Sequence, residues 1–212
     1  MVNPSSKLSR VLLIQHAPYI WLFVGLFLCG CADKQPHPPE GGNVRARLEA
    51  LYPYRAVLRE SEFQYDPSVP LQAVELPALA EALPEVRFFV TRLRTGAHEY
   101  PEVEVAVAAM AGGPLAVYRS PTFGNTDYEF IDLLQRAKAC VESERRAVAE
   151  EIARLFAIIT YKGDIRTQHF DGNVFNAELW HGQLLWRRIT IVFDEGGVAS
   201  VKLKNPRTGG LD

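Results

Sequence analysis

Cysteine is scarce in this chain: only Cys29, Cys31 and Cys140 occur in 212 residues. Cys29 and Cys31 are too close for an unstrained bridge, so no disulfide framework holds the fold and a packed core must carry it. A basic excess is also missing. Lys and Arg total 23 against 25 Asp and Glu, which argues against nucleic acid as a partner. No G-x-S-x-G elbow occurs and no glycine-rich phosphate loop follows a strand. The apolar fraction, 48%, is that of a packed domain.

Acidic residues are absent before Asp33, and Lys7 and Arg10 make the N-terminal segment positive. Residues 11–28 are mostly apolar, most densely over 19–28 (YIWLFVGLFL), although Gln15, His16 and Pro18 interrupt the first half. That is short for a membrane span, which takes about 20 apolar residues. Basic, apolar and then small residues is the order of a bacterial secretory signal.

The segment ends Leu28-Cys29-Gly30-Cys31. It resembles the lipobox of bacterial lipoproteins: an aliphatic residue, a small residue, glycine, then the modified cysteine. The resemblance covers this segment alone. It implies a signal peptide over 1–30, lipidation of Cys31, and attachment to a membrane through N-terminal acyl chains. One acyl chain holds only marginally, and lipoproteins of this type carry two or three. Ala32, rather than an aspartate, follows Cys31. By the enteric sorting rule this implies the outer membrane, facing the periplasm. Loss of Lys7 and Arg10 with the signal takes the net charge from −2 to about −4.

Residues 31–43 read as a lipidated start followed by a Pro/Gly-rich tether. Residues 44–212 read as one globular domain. Residues 44–51 suit a short helix with Val44, Leu48 and Leu51 on one face, and 77–83 a helical turn. Residues 86–95 are β-rich in type. Residues 102–109 alternate, with Val103, Val105 and Val107 on one side, and 115–119 are the return strand after Gly112-Gly113-Pro114.

Thr126 and Glu129 have capping-box spacing. An apolar stripe from Phe130 through Leu134, Ala137, Val141, Val148, Ile152, Leu155 and Ile159 follows. This predicts one long amphipathic helix over 126–162, with room for a kink or a break around Ser143–Arg146, where the stripe thins. Asp132/Arg136, Glu142/Arg146 and Glu150/Arg154 are its expected i,i+4 pairs. Beyond Gly163, Asp171-Gly172, His181-Gly182 and Glu195-Gly196-Gly197 punctuate four β-type runs, which predict a four-stranded meander. Ile189, Ile191 and Phe193 should share a face, as should Ala199, Val201 and Leu203. The expected class is α+β: an antiparallel sheet packed against the long helix.

Candidate chemistry is sparse. Cys140 lies beside the apolar stripe and is expected to be a buried structural thiol. His169, Asp171 and His181 sit at turns, where ordinary turn chemistry explains them better than a metal site. No cofactor is expected. The combination that stands out is aromatic with basic: Trp180, Trp186 and Arg187 beside Arg188, and Arg92 with Arg94 on another run. Tryptophan and arginine are favoured at binding hot spots, although the simpler reading is that the tryptophans fill the core under the helix and the arginines solvate the outer face. The reading is a non-enzymatic envelope module that binds a protein or an envelope polymer. The alternatives are a lipid-anchored hydrolase of envelope polymers and a carrier holding an apolar ligand between helix and sheet.

Overall fold

The structure is a computed structural model, and it describes residues 41–59, 61–97, 102–119, 128–160 and 163–205. These all fall in the compact unit Pro36–Asp212. The signal segment, Cys31 and Thr126 lie outside the described residues.

The first element is helix α1, Gly41–Leu51, which begins inside the segment read as tether. Val44 and Leu48 are buried, but Leu51 is 54% exposed, so the apolar face spans two positions rather than three. Strands β1 (Phe63–Tyr65) and β2 (Gln72–Ala73) follow, then helix α2 (Pro77–Ala82), with Pro at its start. Strands β3 (Val86–Thr95), β4 (Glu102–Met110) and β5 (Leu115–Arg119) complete an antiparallel sheet in the order β1-β3-β4-β5, with β2 also pairing to β3.

Both faces of this first sheet are covered. Phe89, Leu93, Val103, Val105, Val107 and Val117 pack with Val44 and Leu48 of α1. Phe88, Ala106, Ala108, Ala116 and Tyr118 point the other way, into the larger core. Over this strand Val103, Val105 and Val107 take one covered face, and Ala106 and Ala108 take the other, with Glu102 and Glu104 at its open end. Alanine lets the helical layer approach closely.

The expected helix over 126–162 is two helices, α3 (Tyr128–Leu134) and α4 (Glu142–Ile158). The break comes before Ser143, not within Ser143–Arg146. Ala137 and Ala139 are buried, whereas 136, 138 and 140 are exposed. That is the period of an extended segment, not of a helix. Tertiary bonds hold it open. Ala137 O accepts from Val198 N at 3.0 Å, and Lys138 N donates to Ala82 O at 3.3 Å. Arg145 fastens the same region: Nε donates to Ala139 O, one terminal nitrogen to Asn173 Oδ1 at 2.7 Å, and the other to Asp194 O at 2.9 Å. Gly197 makes the approach possible. Its φ is +136°, and a Cβ there would lie 2.1 Å from Ala137 O.

The helical pairs also differ. Arg146 pairs with Glu150 at 3.1 Å, and Arg154 donates instead to Glu75 O. Glu144 accepts from the backbone N–H of Cys140 and Val141, at 2.9 and 3.3 Å, and so closes the start of α4.

Four strands follow: β6 (Asp164–Phe170), β7 (Val174–His181), β8 (Leu184–Asp194) and β9 (Gly197–Lys204). They form the expected four-stranded antiparallel meander, in the order β6-β7-β8-β9. Gly172 takes φ +92°, as its Asp-Gly turn requires. Phe175, Ala177 and Leu179 of β7 join Ile189, Ile191 and Phe193 of β8 in the core. On β9, Val198 and Val201 are buried while Ala199 is exposed. A register shift between Val192 and Phe193 makes Ala199 the extra residue and breaks the expected Ala199–Val201–Leu203 face.

The class is α+β, as expected, but with two sheets. Helices α2, α3 and α4 share one core cluster with the inner face of each sheet. Rings link the layers: Tyr118 of β5 meets Phe156 of α4 edge-on at 4.9 Å, and Phe130 of α3 lies 6.2 Å from Phe88 of β3. None of the helices among the described residues is long and apolar enough to cross a membrane.

Candidate binding face

The two sheets differ in exposure. The first has both faces covered, whereas the meander has one face in the core and one in water. Register fixes what the outer face presents. Arg166, Glu178, Arg188 and Lys204 stand opposite one another across all four strands. His169, Asn176, Thr190 and Lys202 form the adjacent row.

A groove of about 430 Å³ runs over these rows, with Thr167, His169, Asn176, Glu178, Arg188, Thr190, Lys204 and Asn205 in its lining. Glu178 is its one carboxylate, and both its oxygens are held. Arg188 Nε donates to one at 3.1 Å and Trp180 Nε1 to the other at 3.2 Å. Arg166 lies 5.1 Å from the Trp180 ring centroid and donates to Gly182 O at 2.8 Å. Thr190 Oγ1 donates to Asn176 Oδ1 at 2.8 Å. At the wall, Thr167 takes φ +53°, in the register shift between Arg166 and His169. A β-branched residue there is strained.

The five residues singled out as a binding surface do not form one patch. Trp180 is on the outer face of the meander. Trp186 and Arg187 are on the inner side. Leu179 pairs with Arg187 and Trp180 with Leu185, so Trp186 is an inserted residue. The bulge turns two successive side chains the same way. Trp186 and Arg187 line one small cavity with Tyr118, Phe156, Ile159, Thr160 and Leu203, and the guanidinium lies 5.4 Å from the Trp186 ring centroid. Arg187 is only 9% exposed, and its Nε has no hydrogen-bond partner among the described residues. Burial pulls its pKa down, opposed by Tyr118. The cavity is about 10 Å³, roughly the room of one water and too small for an apolar cargo.

Arg92 and Arg94 belong to the other sheet. Both are exposed, opposite Glu104 and Glu102 on β4. Arg92 donates to Glu102 at 3.1 Å. The cross-strand pair accounts for Arg92 without a ligand, and Arg94 stands opposite Glu102 on the same strands.

Cys140 is exposed, not buried. The extended linker places it one residue out of phase with Ala137 and Ala139. His169, Asp171 and His181 do not gather, and no group of metal-ligating side chains occurs among the described residues. Asp171 does the work of a turn residue. Its Oδ1 accepts from the N–H of Val174 at 2.7 Å and of Asn173 at 3.1 Å, and these bonds hold its carboxyl below the usual range. The sequence reading did not bring Arg166, Glu178, Thr190, Lys202 and Lys204 together. Their signal is the polar half of each alternating strand in the meander.

Comparison with protein-family models, with curated proteins and with solved structures finds no match to this chain.

Proposed function

We propose that the chain is a lipoprotein of the bacterial cell envelope, acylated at Cys31, whose domain binds a partner on the outer face of the meander. The anchor rests on Leu28-Cys29-Gly30-Cys31 and the basic and apolar zones before it. Its side of residence is the outer membrane, facing the periplasm, as Ala32 favours. The observation that carries the binding role is the contrast between the two sheets. The first is covered on both faces over most of its area, and Arg92, exposed at its open end, pairs with Glu102. The meander leaves a groove of about 430 Å³ lined with cations, amides and hydroxyls.

The partner is an envelope protein or polymer. A protein or polymer surface suits an open, polar groove better than a small apolar molecule does. The carrier reading has less support, because the cavity beside Trp186 and Arg187 has room for about one water. The hydrolase reading has less support too, because Glu178 is already held by Arg188 and Trp180.

The test is photo-crosslinking in intact cells, with a photoreactive residue at Thr190 on the outer face or at Arg94 on the other sheet. The reading expects a captured species from Thr190 that Arg94 does not yield. Equal capture from the two positions, or none from Thr190, contradicts it.

A further inference from the structure

We infer that the groove on the meander takes a carboxylate-bearing glycan of the envelope. This rests on the proposed binding role of that face and specifies its chemistry.

Charge separation is the first argument. The mature chain is negative overall, at about −4. The outer face of the meander nevertheless carries Arg166, Arg188, Lys202 and Lys204; of its acids, Asp164 and Glu178 are each paired to an arginine there, and Asp194 at the end of β8 accepts from the backbone N–H of Gly196 and Gly197. Lys202 and Lys204 have no ion-pair partner among the described residues. Arg188 and Lys204 stand directly opposite on paired strands. Glu178 already neutralises Arg188 from the other side, so the uncompensated charge of this row is Lys204, which an anion on the face would pair. The strained Thr167 at the wall is a local cost in the same place.

The pairing of the strands separates glycan from peptide. The groove spans all four strands, from Thr167 and His169 on β6 to Lys204 on β9, and at its middle β7 and β8 already use their backbone groups on both sides. Strand addition, which reads an extended peptide by its main chain, needs a free edge. Recognition over the centre falls to side chains alone. These alternate in kind. Asn176, Thr190 and Asn205 in the lining suit sugar hydroxyls, while Lys204 in the lining and Lys202, opposite Thr190 beside it, suit carboxylates.

The test uses the full mature protein in detergent, with tetragalacturonate as the acidic probe, neutral tetragalactose as its control and tetraglutamate as the peptide control. Binding of tetragalacturonate is expected, falling about tenfold in the Lys202→Gln/Lys204→Gln variant and weakening as salt rises. The Arg92→Gln/Arg94→Gln variant on the other sheet should bind like wild type. Absence of binding, equal binding of tetragalactose, tighter binding of tetraglutamate, or an equal loss from the Arg92/Arg94 variant would each overturn the inference. So would self-association of the lysine variant with binding unchanged, because the lysines would then be guarding the β9 edge. If tetragalacturonate fails while Thr190 still captures a partner in cells, the glycan falls and the binding face stands. If Thr190 captures nothing, the face itself is lost.

Discussion

Arg187 is the residue least suited to its surroundings. An arginine on a strand beside Ile189 and Ile191 reads as a solvated residue. The bulge at Trp186 turns it inward, where its Nε lacks a partner. Nothing in the local sequence announces a bulge, so the pairing of tryptophan with arginine was legible but its direction was not. Burying an unpaired polar group costs stability, and an apolar residue of similar length removes that cost. Arg187→Met is therefore expected to raise unfolding free energy by about 1 kcal/mol. A denaturant titration that instead shows the variant clearly less stable would mean the guanidinium is well bonded.

At the scale of elements, the meander was the most legible part. Asp171-Gly172, His181-Gly182 and Gly196-Gly197 mark its turns, and alternation along each run names its inner face. The helix break was legible only a few residues late, as the thinning of the stripe at Ser143–Arg146, because Ala137, Lys138, Ala139 and the residues from Glu142 on all accept helix. What opens the chain there is remote in sequence: Val198, Ala82 and Asp194 supply the bonds. Two expectations follow. Gly197→Ala forces a Cβ against Ala137 O in a backbone conformation that suits glycine, so it should destabilise by about 3 kcal/mol in a thermal or urea melt. A silent substitution would mean the linker is not held against β9. Val141 sits at the N-cap of α4 without a side-chain acceptor and is 52% exposed. Val141→Thr should stabilise by about 1 kcal/mol, and an unchanged midpoint would show that Glu144 alone satisfies that helix end.

At the scale of the molecule, the architecture divides its labour. The first sheet is sealed between α1 and the helical layer, and the helices in turn back the meander. This leaves one polar face of a rigid sheet outward, and the binding role rests there. That face was partly legible, since the polar residues of β7 and β8 alternate with core residues, whereas residues 166–169 of β6 are all exposed. The presence of two sheets was not, because strand runs carry no record of which edge they join. The account also depends on where the molecule resides. Replacing Cys31 with Ser should abolish acylation, and fatty-acid labelling of that variant at the wild-type level would remove the anchor.

The most direct measurement is the intact mass of the protein purified from its native envelope. The account predicts a chain starting at Cys31, heavier than the bare polypeptide by a diacylglyceryl group, with or without a further acyl chain. A chain that retains residues 1–30, or one that starts at Cys31 without lipid, contradicts it.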